Sequence, residues 1–222
     1  MTDYTTDNRL NLEAYLATHT LPSGLGNKES ACTMAAINLA MSGKLTAKIP
    51  DCMSEVLGKA AIGLQDAMPD KMRNSARYKR LIPNMPGTGR AQEQERLAIL
   101  MDWMWGVVLP QIQPIADEHG FGAEWQSMCR EKTAAAVYAA THAVYAATHA
   151  AWAAARAAAA VEAARAAVGA ARAADDAAWA AADAAAWAAA RVAAAAARDD
   201  FWETIDPIGV LARMTYLTGD NT

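Results

Sequence analysis

The chain of 222 residues predicts an all-α fold, and three observations carry that expectation. Residues 133–198 hold 41 alanines in 66 positions, and alanine has the highest intrinsic helix propensity. Apolar residues in the first 132 positions recur at helical spacing, with no sustained period-two alternation of β-branched residues. Pro, Gly and Asn punctuate the same region at intervals that suit short helices. The expected architecture is a compact multi-helix bundle, its alanine-rich tract folded back as a closely packed hairpin or layer.

The elements follow in order. Leu10, Leu12, Tyr15 and Leu16 predict a helix from Leu10 to Thr18, ended by the turn run Pro22 to Asn27. From Glu29 to Ser42, the residues Cys32, Ala35, Ala36, Leu39 and Ala40 follow the i, i+3, i+4, i+7 rule, and Gly43 sits at the C-cap. Asp51 after Pro50 is the expected N-cap of a helix through Val56, Ala60, Leu64 and Met68. Pro69 and Asp70 open the next, which carries Met72, Ala76 and Leu81 and is closed by Pro83 and the turn Pro86-Gly87-Thr88-Gly89. A longer helix is expected from Arg90 to Leu109, burying Leu97, Leu100, Met101, Met104 and Val108, with Pro110 starting a new one. Trp103, Met104 and Trp105 read as core anchors.

The alanine tract runs from Thr133 to Arg198. As one rod it would span roughly 100 Å, against a radius of gyration of about 17 Å for a compact chain of this length. Folding back removes its methyl surface from water, and Gly169, Asp175 and Asp176 favour a bend between Val168 and Asp176, with a second break nearer Ala157 to Ala160 left open. Ala136 to His142 recurs as Ala143 to His149, with Ala150 to Arg156 a degenerate third copy. On a helix this repeat lines up Tyr138, Tyr145 and Trp152, with His142, His149 and Arg156 beside them. The stripe either sets helix spacing and register or forms a binding face. Phe201 to Thr222 returns to a mixed composition and is expected to pack back. With no Gly/Ser or Pro-rich linker present, segments 1–132, 133–200 and 201–222 are expected to form one continuous domain.

Composition and motifs exclude several functions. A net charge of -4 and the lack of a reader motif disfavour nucleic acid. No run of about 18 uncharged apolar residues predicts a membrane span. Met1 to Leu10 lacks the basic-then-apolar order of a secretory leader, and Cys32, Cys52 and Cys129 suit a reducing compartment, so a cytoplasmic location is expected. His142 and His149 lie too far apart for the usual i, i+4 metal pair, and the consecutive residues Asp117, Glu118 and His119 point different ways. No nucleophile elbow or phosphate loop appears, so neither a metal, a cofactor nor a catalytic residue is assigned. The strongest polar cluster is Lys71, Arg73, Asn74, Arg77, Tyr78, Lys79 and Arg80. On one helix, Arg73, Arg77 and Arg80 share a face, which is either a solvated surface or a holder for an acidic partner or phosphate.

The Ala/Trp/Arg alternation of Ala150-Ala151-Trp152-Ala153-Ala154-Ala155-Arg156 resembles the alanine-rich immunity proteins of bacterial toxin–immunity loci, over about the last third of the chain. In the first half, Ala31 to Ala40, Ile49 to Ser54, Met72 to Ala76 and Leu100 to Trp105 are similar to bacterial and phage proteins with no assigned mechanism. The resemblance implies a non-enzymatic helical protein that neutralises a toxin or defence component by protein contact. The alternative is sequestration of a small charged ligand, such as a nucleotide signal, between helices by Arg and aromatic side chains. The binding candidates are Arg73, Asn74, Arg77, Arg80, Tyr138, His142, Tyr145, His149, Trp152 and Arg156, and self-association stays open.

Overall fold

A computed structural model describes residues 4–118, 120–132 and 199–217. Every regular element among them is helical, as expected for an all-α chain. The predictions for the alanine tract, namely its folding back, its bend and its aromatic stripe, lie outside the described residues. The chain divides into two compact units, residues 1–96 with 208–222 and residues 97–207. The boundaries fall between Arg96 and Leu97 and between Pro207 and Ile208.

In the first unit, α1 spans Thr6–Thr18 and starts earlier than Leu10. Thr5 and Asn8 form a capping box: the Thr5 hydroxyl accepts from the Asn8 amide at 3.2 Å, and Asn8 Oδ1 accepts from the Thr5 amide at 3.0 Å. Helix α2 spans Thr33–Ser42, later than the expected Glu29. Asn27 Oδ1 accepts from the amides of both Glu29 and Ser30 at 2.9 Å, holding these residues in a turn. Gly43 does end α2 in the left-handed conformation, with φ of 69°.

Helix α3 spans Glu55–Ala67, and its N-cap is Ser54 instead of Asp51. The Ser54 hydroxyl accepts from the Leu57 amide at 3.1 Å. Glu93, far along the chain, completes that cap by accepting from the Ser54 hydroxyl and the Glu55 amide, both at 2.6 Å, and from the Val56 amide at 3.2 Å. The single helix expected after Pro69 is two: α4, Asp70–Arg73, and α5, Ala76–Leu81, which runs into a 3₁₀ turn at Ile82–Asn84. Ser75 separates them because its hydroxyl accepts from the Tyr78 amide at 3.2 Å and starts a new helix there.

The long helix expected from Arg90 to Leu109 is also broken. Helix α6 spans Glu93–Trp103, a π-helical turn follows at Met104–Val108, and a 3₁₀ turn at Leu109–Ile112 contains Pro110. The wider π turn and the 3₁₀ turn bring the chain past Pro110, which has no amide to donate to a helical ladder. Helices α7, Gln113–Glu118, and α8, Gly122–Glu131, complete this stretch, and α9 spans Asp199–Ile205. Trp103, Met104 and Trp105 are buried, as their sequence context predicts. Trp103 Nε1 donates to the Ile205 carbonyl, and Trp125 Nε1 to the Leu109 carbonyl at 2.9 Å. Each indole thus buries its ring without leaving its one donor unpaired.

Helix α10, Pro207–Thr215, enters the first unit from Ile208 onward, where Leu211 and Met214 are fully buried. The buried Arg96 side chain fixes it: Nε donates to the Met214 carbonyl at 3.0 Å, and Nη2 to the Thr88 carbonyl at 3.2 Å. No helix among the described residues is long and apolar enough to cross a membrane.

Candidate binding groove

The described residues form a groove of about 620 Å³ between α1 and α5 in the first unit. One wall is Arg9, Glu13, Leu16 and Ala17 of α1. These positions fall at i, i+4, i+7 and i+8, so they share one helix face. The other wall is Ala76, Lys79 and Arg80 of α5 and Pro83 of the following turn, at i, i+3, i+4 and i+7, and Asn74 lies at one end. Leu16 and Pro83 are buried and form an apolar floor, while Arg9, Glu13 and Arg80 stand exposed at the edges.

Hydrogen bonds tie the walls together at both ends. At one end Lys79 Nζ donates to the carbonyl of His19, the residue that caps α1, at 2.7 Å. Beside it, Asn74 Oδ1 accepts from the Leu21 amide at 2.7 Å, and its Nδ2 donates to the Leu21 carbonyl at 3.1 Å. At the other end Arg9 Nη2 donates to Asn84 Oδ1 at 3.0 Å, and the Tyr4 hydroxyl donates to the Pro83 carbonyl at 3.1 Å. Burial pushes the Tyr4 phenol up to about 12 despite nearby Arg9, so it remains a neutral donor at ordinary pH. Helix α1 is anchored in turn on α2, where Asn8 Nδ2 donates to the Ala40 carbonyl at 3.2 Å. Side-chain hydrogen bonds thus hold the two walls at both ends.

Its charge is one-sided. Arg9, Lys79 and Arg80 against Glu13 give three positive groups and one negative, a local net of +2, on a chain whose net charge is -4. Glu13 is engaged by Arg9 Nε at 2.9 Å. Arg80 is the cation of this set whose guanidinium has no hydrogen-bond or ion-pair partner among the described residues.

The structure separates the residues that the sequence grouped. Arg73 does not share a face with Arg77 and Arg80, because it belongs to α4 and is buried, 7% exposed. Its Nη1 donates to the Gln65 carbonyl at 2.9 Å, and its Nη2 pairs with the Asp70 carboxylate. It is a structural clamp. Tyr78 is buried too, with its hydroxyl 2.9 Å from the Thr33 hydroxyl. Asn74 and Arg80 line the groove, and Arg77 is exposed on α5 outside the lining. Tyr138, His142, Tyr145, His149, Trp152 and Arg156 lie outside the described residues. The groove residues absent from the binding candidates are Arg9, Glu13, Leu16, Ala17, Ala76, Lys79 and Pro83, although Lys79 belonged to the polar cluster. The signal for the first four was the mixed polar and apolar stripe on α1, which means little until α5 is known to face it.

The turn Pro86-Gly87-Thr88-Gly89 is a packing junction. The Gly89 amide donates to the Cys52 carbonyl at 3.0 Å, and the Thr88 hydroxyl accepts from the Ser54 amide at 3.0 Å. Among the described residues no group of three or more His, Cys, Asp or Glu side chains is arranged to hold a metal ion. The three cysteines are unbridged, and burial pushes the thiols of Cys32 and Cys129 up, the latter to about 11.

The described residues are helical throughout their regular elements and present a basic-edged cleft between two helices. No protein-family model, curated protein or solved structure matches the chain.

Proposed function

We propose that this is a non-enzymatic binding protein of the immunity or inhibitor type, which neutralises a toxin or defence component by contact at the α1/α5 groove. The observation that carries the reading is the groove itself: an apolar floor, cationic edges, and walls held at both ends by side-chain hydrogen bonds. A surface held in this way spares the ordering cost that association otherwise imposes.

The groove's volume also suits a small anionic ligand, which supports a second reading, sequestration of a nucleotide-like signal. Two of its three cations argue for the first reading. Arg9 and Lys79 already donate to Glu13, Asn84 and the His19 carbonyl. Their donors do not converge on one point as a phosphate requires. A broader surface that meets the edges separately fits them better.

The test is photocrosslinking from a benzophenone amino acid at position 76 in cells of the native host, followed by expression of the captured protein. The expected result is one captured protein that is toxic alone and harmless beside the wild-type chain, with protection lost in Ala17→Trp. A captured protein that is harmless alone, or protection unchanged by Ala17→Trp, would overturn the reading. Calorimetric binding of nucleotides that disappears in Arg80→Ala would establish the second reading instead.

A further inference from the structure

Resting on that reading, we infer that the groove receives an acidic amphipathic helix of the partner. The two walls are stripes of neighbouring helices, at Arg9, Glu13, Leu16 and Ala17 and at Ala76, Lys79, Arg80 and Pro83. Each stripe runs for roughly 12 Å, two helical turns. A furrow between two helices accepts the ridge of a third. A peptide binding as an added β-strand would need a sheet edge to pair its backbone, and the groove walls offer none. Ala17 and Ala76 present single methyl groups, which lets an incoming helix approach the floor at Leu16 and Pro83.

Charge selects among helices. The lining carries a net of +2 on a chain of net charge -4, so an incoming carboxylate is attracted here and repelled by the molecule as a whole. Arg80, exposed and unpaired among the described residues, is placed to meet the first carboxylate. Arg9 keeps side-chain exposure of 45% beside Glu13 and is placed to meet a second across the groove. The incoming helix therefore carries Leu-like residues on one stripe and Asp or Glu on both flanks, at i, i+3 or i+4 spacing.

The test uses the full-length protein and a stapled helical peptide with a Leu stripe flanked by Glu, read by fluorescence anisotropy. Saturable binding is expected, weakened about tenfold or more when Gln replaces Glu in the peptide. Arg80→Ala is expected to weaken it about threefold to fivefold, and Arg80→Glu further, in line with exposed ion pairs. Ala17→Trp, which fills the floor and leaves every charge in place, should abolish it, with unchanged circular dichroism confirming the fold. Equal binding of Glu and Gln peptides, or binding indifferent to Ala17→Trp, would overturn the inference. So would full displacement by inorganic triphosphate at equimolar concentration, which would assign the edges to a small anion. Competition by the peptide against the photocrosslink at position 76 keeps the two readings apart. A crosslinked toxic partner that the peptide fails to displace refutes the acidic helix alone. Peptide binding without any toxic partner refutes the proposed function alone.

Discussion

Replacing Glu93 by alanine should destabilise α3 by about 2 kcal/mol. The Glu93 carboxylate accepts from the Ser54 hydroxyl, the Glu55 amide and the Val56 amide, so it serves the first turn of a helix that begins 38 residues earlier. Hydrogen bonds to a charged group contribute about 1.5–3 kcal/mol each when buried, and an anion at a helix N-terminus adds about 0.3–1 kcal/mol. The site is only partly buried, so water recovers much of what is lost. Ser54 also keeps its own bond to the Leu57 amide at 3.1 Å. The expected loss therefore lies near the top of the range of about 0.5–2 kcal/mol for a single helix cap. Glu93→Gln retains an oxygen acceptor without the charge and should cost about half as much. Native-state hydrogen exchange measures this directly, because 2 kcal/mol corresponds to about a thirtyfold fall in protection of the slowest α3 amides. A fall of less than about threefold in Glu93→Ala would show that the carboxylate does not hold the helix end, and the cap assignment would be wrong.

Other substitutions probe separate parts of the account. Arg73→Ala should destabilise by about 2 kcal/mol through its buried bond to the Gln65 carbonyl, whereas Arg80→Ala should stay within about 0.5 kcal/mol. Urea titration of both variants checks that contrast, and equal effects would contradict the difference between the buried Arg73 and the exposed Arg80. Gly58→Ala raises helix propensity by about 1 kcal/mol, yet its new methyl would lie 2.7–2.8 Å from three carbons of Ile49. The net effect should be destabilising, seen as a lower urea midpoint, and a gain in stability would show that Ile49 yields freely. The Cys129 thiol, raised to about 11 by burial, should alkylate with iodoacetamide far more slowly at pH 8 than after unfolding in urea. Because its folded value is raised, the stability it contributes is complete below the ordinary thiol value of 9.0 and declines as pH climbs towards 11. An alkaline stability profile that is the same in Cys129→Ala would contradict this.

Local chemistry made part of this architecture legible. The left-handed Gly43 after α2 and the buried Trp103, Met104 and Trp105 follow from residue type and neighbours alone. Errors arose where a distant or competing side chain decided the outcome. Asp51 looked like the better cap beside Pro50, but Ser54 has Glu93 to reinforce it. The arginine stripe at Arg73, Arg77 and Arg80 assumed one helix. Ser75 instead starts a new one, and the buried Gln65 carbonyl holds Arg73 inward. A pattern spaced for one long helix through Val108 gave no sign of the π turn at Met104–Val108. The groove was half visible, since Asn74 and Arg80 were among the candidates. Its other wall on α1 acquires meaning only through the contacts of Lys79 with His19 and Arg9 with Asn84, which no local pattern encodes.

The most direct measurement is hydrogen–deuterium exchange of the protein with and without its crosslink-identified partner. Slowed exchange confined to residues 9–17 and 76–83, and lost in Ala17→Trp, is what an α1/α5 docking groove predicts. Protection elsewhere, with both of these segments unchanged on binding, would contradict it.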